Sequence, residues 1–90
     1  MNIEELFNII EKRVKNKNKN SYTNKLLKLG PKKIAQKFGE ESTELIIDYL
    51  KGSKKRTVEE ATDVIYHLLV LLKSKNITLK DINIELSKRK

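Results

Sequence analysis

The apolar residues of this chain recur at the spacing of helices. In the first 14 residues they stand at Ile3, Leu6, Phe7, Ile10 and Val14. This pattern predicts a first helix from about residue 2 to the lysine-rich stretch at 15–20. We interpret that stretch, in which Lys and Asn alternate, as a solvated linker, although an arm that binds nucleic acid would have the same composition.

Two further helices are predicted to meet at Gly30 and Pro31. Ser21 or Thr23 can cap a short second helix, and Gly30 can close it. Because proline is favoured in the first turn of a helix, a third helix is predicted from Pro31 to about residue 50. Four of its residues form a stripe that is predicted to face the core: Ile34, Phe38, Leu45 and Tyr49.

A fourth helix is predicted after the polar turn at 51–55. It should run from about Arg56 to Ser74, with one apolar face formed by Val58, Ala61, Ile65, Leu68 and Leu72. Three polar residues share the opposite side: Glu60, Asp63 and His67. Because residues 64–72 are apolar almost all round, we expect this helix to be buried on two sides, by its own chain and by a partner.

The last predicted helix starts at Thr78 and Asp81, which are spaced as in a capping box. Its apolar positions are Leu79, Ile82, Ile84 and Leu86, and the basic residues 88–90 are interpreted as solvated. The whole pattern predicts an all-α hairpin bundle of four to five helices, with a single domain over residues 1–90. A chain of 90 residues buries a modest core, so we expect self-association to complete it.

The amino-acid composition limits the kinds of partner and metal site that this chain can have. Twenty Lys and Arg against 12 Asp and Glu leave a formal charge of +8. This charge favours an anionic partner, although nucleic-acid binding or solubility alone also fits. The chain has no Cys and one His, which excludes a disulfide framework, a thiolate metal site and a multi-histidine zinc centre within one chain. Carboxylates must therefore hold any metal.

The sequence gives no sign of a membrane or secretion segment. The N-terminal pattern contains acids and lacks the basic, apolar and small-residue succession of a signal peptide. No segment reaches the length of about 18 consecutive apolar residues that a membrane-spanning helix needs. We therefore expect a cytoplasmic protein without a membrane partner.

Two acidic pairs lie on the third and fourth predicted helices. Glu41 and Glu44 are three residues apart on the third helix. Glu60 and Asp63 have the same spacing on the fourth, so the carboxylates of each pair project from one side of their helix. An antiparallel hairpin would bring the pairs together, where they repel unless Mg²⁺ or Mn²⁺ neutralises them. Glu41 borders the apolar face, which favours a ligand; an ion pair with Lys37 is the alternative.

Three segments of the sequence resemble one enzyme family. SYTNKLL, GPKKIAQKFGEESTEL and VEEATDVIYHLLVLL, within residues 21–86, are similar to phosphoribosyl-ATP pyrophosphatase, the second enzyme of histidine biosynthesis. Their EExxE and ExxD elements also occur in the wider superfamily of all-α, MazG-like nucleoside triphosphate pyrophosphohydrolases. The resemblance implies hydrolysis of the α–β phosphoanhydride of phosphoribosyl-ATP to phosphoribosyl-AMP and pyrophosphate, with Mg²⁺ as the required ion. It also implies a homodimer or a pair of dimers.

The resemblance assigns roles to the acids as well. Four of them match the metal ligands of the family: Glu41, Glu44, Glu60 and Asp63. Glu40 is expected to bind metal or to orient a water, and either Glu40 or Glu44 takes the proton of the attacking water. The sequence does not tell which of these carboxylates binds metal and which accepts the proton. It is compatible with one metal ion or with two. Of the acids in these two segments, Glu59 is the one least expected to act in the site.

Substrate phosphates need cations and hydrogen-bond donors. The residues that we predict to bind substrate are Ser21, Tyr22, Thr23, Lys25, Lys37, Arg56 and His67. His67 lies one helical turn after Asp63, where a metal ligand, a phosphate contact, a support for a ligand or a purely structural residue would all fit. Tyr49 and Tyr66 are predicted to pack in the core or in a dimer contact and not against a base.

Two other functions remain open from the sequence. A related house-cleaning pyrophosphatase would share the fold and the carboxylates but accept ordinary or damaged nucleoside triphosphates. A basic helical module that binds nucleic acid or protein would use its acids only in surface pairs; we expect no nucleic-acid partner. Because the chain has no Cys, it lacks the zinc ligands of the cyclohydrolase that is sometimes fused to this family. We therefore expect a stand-alone pyrophosphatase.

Overall fold

The computed structural model describes residues 1–17 and 21–89. Its helices are α1 (Ile3–Lys15), α2 (Tyr22–Lys28), α3 (Pro31–Lys51), α4 (Lys54–Ser74) and α5 (Leu79–Lys88). The described ranges contain no strand, so the predicted all-α fold is confirmed. Part of the predicted linker, 18–20, and the basic residue Lys90 lie outside the described residues. None of the five helices is long and apolar enough, over its described residues, to cross a bilayer.

Side-chain caps mark the helix starts that the sequence predicts. Ser21 Oγ accepts a hydrogen bond from the Asn24 backbone N–H at 3.4 Å, so Ser21 and not Thr23 caps α2. At α5, Thr78 Oγ1 accepts from the Asp81 N–H at 3.2 Å, and the Asp81 carboxylate accepts from the Thr78 N–H at 2.9 Å. These hydrogen bonds with Thr78 hold the pKa of Asp81 below its usual range. The predicted capping box is therefore confirmed.

Gly30 separates α2 from α3 by a backbone turn that needs glycine. Its φ is +91°, a value that residues with a side chain rarely adopt. Pro31 follows as the first residue of α3, where its fixed φ suits a helix and its missing N–H costs no hydrogen bond. The predicted junction at these two residues is confirmed.

The buried apolar core is small and lies at one end of the molecule. It consists of Phe7, Ile10, Leu26, Ile34, Leu69 and Val70. These residues come from α1, α2, the first half of α3 and the second half of α4, whereas α5 contributes no buried residue. The first two helices therefore cover one end of the α3–α4 pair and leave the other end open.

The helices α3 and α4 form a long hairpin, and hydrogen bonds to Asp48 hold the turn between them. The Asp48 carbonyl accepts hydrogen bonds from the Gly52 N–H at 2.8 Å and from the Thr57 hydroxyl at 3.2 Å. A Cβ atom at Gly52 would lie 2.9 Å from that carbonyl oxygen, so a larger residue would have to shift the turn. Two helices joined by such a short turn run antiparallel, which is the arrangement that the acidic pairs required.

Three of the predicted apolar faces are partly wrong. Tyr49 is 74% exposed and Val58 is 56% exposed, because both lie near the open end of the hairpin. On α4 the buried residues are Glu60, His67, Leu69 and Val70 instead of the predicted apolar face. The predicted positions Ile84 and Leu86 of α5 are exposed as well. Apolar periodicity identifies a face but does not tell which part of that face another helix covers.

Candidate metal centre

Three acids from the two helices of the hairpin form a cluster. Glu41 of α3 and Glu60 and Asp63 of α4 each place a carboxylate oxygen within 4.8 Å of the others. Glu60 and Asp63 are neighbours because residues three apart share a helix face, and the antiparallel turn brings Glu41 opposite them. The predicted approach of the two acidic segments is therefore seen in the structure.

Glu60 is the buried member of the cluster. The residue is only 5% exposed. Oε1 accepts a hydrogen bond from Arg56 Nη2 at 3.0 Å, whereas Oε2 is buried and has no hydrogen-bond partner. A buried carboxylate oxygen without a partner is unfavourable unless something else satisfies it. Beside two further carboxylates, the donor set suits a hard divalent cation with oxygen ligands such as Mg²⁺ or Mn²⁺.

The surroundings of Glu60 also disfavour its charged form. Burial raises the pKa of Glu60, and the negative charges of Glu44 and Asp63 raise it further, while Arg56 acts in the opposite direction. A cation bound between the carboxylates would reverse this effect, because it favours the ionised form of each of them. The raised pKa of Glu60 and its unpaired Oε2 therefore point to the same missing partner, a positive charge beside this carboxylate.

The other predicted acids take different positions. Glu44 raises the pKa of Glu60 through its charge and through a side-chain hydrogen bond, which two carboxyl groups can form only when one of them is protonated, but Glu44 is not part of the three-residue cluster. Glu40 is exposed. Glu59 forms an exposed ion pair with Arg56, Oε1 to Nη1, at 3.3 Å. Among the residues that the structure describes, no ion pair within 4.0 Å joins Glu41 to Lys37, so the alternative for Glu41 is not observed.

Arg56 contacts carboxylates from both helices of the hairpin. Besides Glu59 and Glu60, it pairs with Asp48 of α3, whose Oδ2 lies 3.5 Å from Nη2. The acid Asp48 raises the pKa of Arg56 most strongly, and Glu60 and Glu59 add to this effect. Sequence reasoning did not assign Asp48 a role at the site. The available signal was its position seven residues after Glu41, which puts both on one face of α3.

His67 lies outside the carboxylate cluster and connects α4 to α2. Its Nδ1 is 2.8 Å from the Asp63 carbonyl oxygen, which can only accept, so Nδ1 carries the proton. In the neutral ring Nε2 is then an acceptor, and the Tyr22 hydroxyl lies 3.4 Å from it. The ring is buried against Tyr22 and Tyr66 in edge-on contacts. These contacts hold the His67 ring between α4 and α2.

The predicted substrate-binding residues of α2 and α3 divide into two groups. Thr23 is fully buried, and its hydroxyl lies 2.6 Å from the hydroxyl of Tyr66, whose pKa is raised by burial. Tyr22 is half-exposed and stacks on Tyr66 with ring centroids 6.0 Å apart. Lys25 is exposed and Lys37 is half-buried, and neither forms an ion pair with another described residue.

The fold and the cluster together define an all-α protein with a candidate divalent-metal centre inside a helical hairpin. The sequence profile of the phosphoribosyl-ATP pyrophosphohydrolase family matches residues 3–90. The chain belongs to this family.

Individual relatives agree with this assignment. The chain is 49% identical to the phosphoribosyl-ATP pyrophosphatase of Sulfolobus acidocaldarius over 97% of this chain and 92% of that protein. It is 47% identical to the phosphoribosyl-ATP pyrophosphatase of Clostridium novyi over 98% of this chain and 80% of that protein. It also matches the histidine biosynthesis bifunctional protein HisIE of Thermotoga maritima at 43% identity, over 96% of this chain and 44% of the bifunctional protein.

Proposed function

We propose that this protein hydrolyses phosphoribosyl-ATP to phosphoribosyl-AMP and pyrophosphate, the second step of histidine biosynthesis. Membership of the family and the names of the relatives support this substrate. The observation that carries the chemistry is the buried, unpaired Oε2 of Glu60 beside Glu41 and Asp63. Such a cluster fits Mg²⁺, or Mn²⁺ in its place, and a triphosphate substrate brings further oxygen ligands for the same ion.

The acids of the hairpin have different roles in the proposed reaction. Glu41, Glu60 and Asp63 hold the metal, and Glu44 is our candidate for a fourth ligand. When bound, the metal offsets negative charge on the phosphate oxygens and acidifies a water molecule. The proton of the water that attacks phosphorus goes to Glu40, or to Glu44 if Glu44 is not the fourth ligand. The leaving pyrophosphate then departs with the electrons of the broken P–O bond.

We propose that cationic and hydroxyl groups of α2 and α3 bind the rest of the substrate. Lys25 and Lys37 lack ion-pair partners among the described residues, so we propose that they contact phosphate. The exposed half of Tyr22 offers a ring and a hydroxyl to the ribose or phosphate groups. Ser21, Thr23 and His67 support this surface by capping α2 and joining it to α4.

The test of function is pyrophosphate release from phosphoribosyl-ATP by the purified protein, with and without Mg²⁺, in comparison with ATP and dCTP. We expect metal-dependent release from phosphoribosyl-ATP and its loss in Glu41→Gln, with the helical circular dichroism of that variant unchanged. Release from ATP or dCTP instead would favour a house-cleaning pyrophosphatase. No release from any of the three, together with salt-sensitive binding of RNA or DNA, would support the nucleic-acid-binding alternative.

We further propose that the protein is a cytoplasmic homodimer, and that it dimerises through the open end of the hairpin. Five exposed apolar residues lie there, which we call the tip patch: Ile46, Ile47, Tyr49, Leu50 and Val58. Patches of this kind mark protein interfaces. A second copy is the occupant we favour, because the small core of one chain leaves this end of α3 and α4 uncovered and the family resemblance implies a dimer.

A charge in the tip patch should therefore separate the subunits. Leu50 is 70% exposed in the single chain, so Leu50→Glu should leave its fold intact while burying a charge in the dimer interface. We expect the mass measured by light scattering after gel filtration to fall by half. The matched control is Leu86→Glu, an exposed apolar position on α5 outside the patch, which should keep the mass of the parent protein. Dissociation by Leu86→Glu and not by Leu50→Glu would refute this interface.

A further inference from the structure

Arg56 connects the two helices of the hairpin at the edge of the candidate metal centre. Its Nη2 lies 3.0 Å from Glu60 Oε1 and 3.5 Å from Asp48 Oδ2, and its Nη1 lies 3.3 Å from Glu59 Oε1. Asp48 is on α3, whereas Glu59 and Glu60 are on α4. The planar guanidinium offers several N–H donors in a fixed arrangement, so one side chain can bridge these carboxylates.

This bridge occupies one oxygen of the Glu60 carboxylate and leaves the other without a hydrogen-bond partner. Oε1 is occupied by Arg56, whereas Oε2 is the buried oxygen without a partner. Rotation of the carboxylate would break the hydrogen bond to Arg56, so Oε2 remains the free oxygen. Asp48 in turn is held in place, because its carbonyl accepts two hydrogen bonds from the hairpin turn and its side chain is mostly buried.

We propose that Arg56, anchored by Asp48, is the positioning residue that holds Glu60 as a metal ligand. This inference rests on the proposed function, because it needs a metal at the cluster. It changes the role expected for Arg56 from a contact with substrate phosphate to a contact with a ligand carboxylate. Groups that hydrogen-bond a ligand carboxylate typically affect metal affinity by about 10- to 100-fold.

The charge of Arg56 has an effect of opposite sign. A guanidinium close to the cluster repels a divalent cation, so an Arg56 that acted by charge alone would weaken metal binding. Substitution by Lys separates the two effects, since Lys keeps the charge but cannot bridge Asp48 and Glu60 in the same way. A loss of affinity in that variant therefore reports the lost orientation of Glu60 and not a change in charge.

The experiment measures the Mn²⁺ affinity of the full chain by isothermal titration calorimetry without nucleotide. We expect Arg56→Lys to weaken Mn²⁺ binding by about tenfold or more, and Asp48→Asn to weaken it by a smaller factor. The matched control is Glu59→Gln, which removes the charge of the exposed partner of Arg56 and should change the affinity by less than about twofold. Thermal unfolding in EDTA, monitored by circular dichroism, checks that each variant is folded at the temperature of the titration.

Activity provides a second readout that separates positioning from phosphate binding. If Arg56 positions Glu60, raising the Mg²⁺ concentration should restore most of the rate of Arg56→Lys. A raised KM for phosphoribosyl-ATP that persists at saturating Mg²⁺ would instead assign Arg56 to the substrate and overturn the inference. Parental Mn²⁺ affinity in Arg56→Lys, or tighter binding in Arg56→Gln, would overturn it as well. Failure of the parent protein to bind Mn²⁺ would refute the proposed metal centre itself.

Discussion

Glu60→Gln should make the metal-free protein more stable and the enzyme inactive. The substitution keeps the shape of the side chain, and its carbonyl can still accept the hydrogen bond from Arg56. The amide nitrogen replaces the unpaired Oε2, so a hydrogen-bond donor takes the place of a buried oxygen without a partner, in a side chain that lies near the carboxylates of Glu41 and Asp63. Loss of a metal ligand should lower kcat/KM by about 100-fold or more.

The effect of Glu60 on stability should depend on pH. Because its pKa is raised in the folded chain, the native state binds more protons than the unfolded state once the pH exceeds the ordinary glutamate value of about 4.3. The stability that Glu60 contributes is therefore present below that pH and is lost as the pH rises through the folded pKa. In Glu60→Gln this loss should be absent, so its advantage over the parent should be largest at neutral and higher pH.

Thermal unfolding in EDTA from pH 4 to pH 8 measures this difference directly. We expect a higher midpoint for Glu60→Gln at pH 8, and a rise in the midpoint on addition of Mg²⁺ only in the parent protein. Glu85→Gln is the matched control, because Glu85 is an exposed acid on α5 that pairs with Lys88 and Arg89. It should change neither the pH dependence nor the activity. A lower midpoint for Glu60→Gln in EDTA would mean that the ion pair with Arg56 outweighs the cost of burial.

Leu69→Ala should remove a large part of the stability of the fold. Leu69 is 2% exposed and belongs to a core of six buried apolar residues. Truncation of a buried Leu to Ala costs about 2–5 kcal/mol, and the total stability of a domain is about 5–15 kcal/mol. The loss should be near the upper part of that range if the helices around Leu69 cannot close the cavity, and unfolding in urea provides the measurement.

Leu86→Ala is the control for Leu69→Ala, since it makes the same chemical change at an exposed position of α5. It should change the free energy of unfolding by less than about 0.5 kcal/mol. Both variants should be compared at the same protein concentration, because dimerisation stabilises the folded chain. Equal losses in the two variants would show that α5 is buried in the folded protein in solution, contrary to its exposure in the single chain.

The local features of this fold and site follow from the sequence. The helices, the capping box at Thr78 and Asp81, and the junction at Gly30 and Pro31 depend on interactions between residues a few positions apart, and all of them are observed. Glu60 and Asp63 lie on the same side of α4 because residues three apart share a helix face, so their proximity also follows from the sequence. The resemblance of three motifs then identified the family, which the match over residues 3–90 supports.

The tertiary structure alone determined what each helix face contacts. Val58 and Tyr49 lie at positions of apolar spacing that none of the helices α1, α2 and α5 covers over the described residues, whereas the acid Glu60 is buried. The ion pair of Arg56 with Asp48 crosses between α3 and α4, so no spacing along one helix predicts it, whereas the pair of Arg56 with Glu60 lies within α4 at a spacing of four residues. Periodicity is a property of one helix, whereas burial and ion pairing depend on which other segments lie against it, and the packing of the whole chain sets that arrangement.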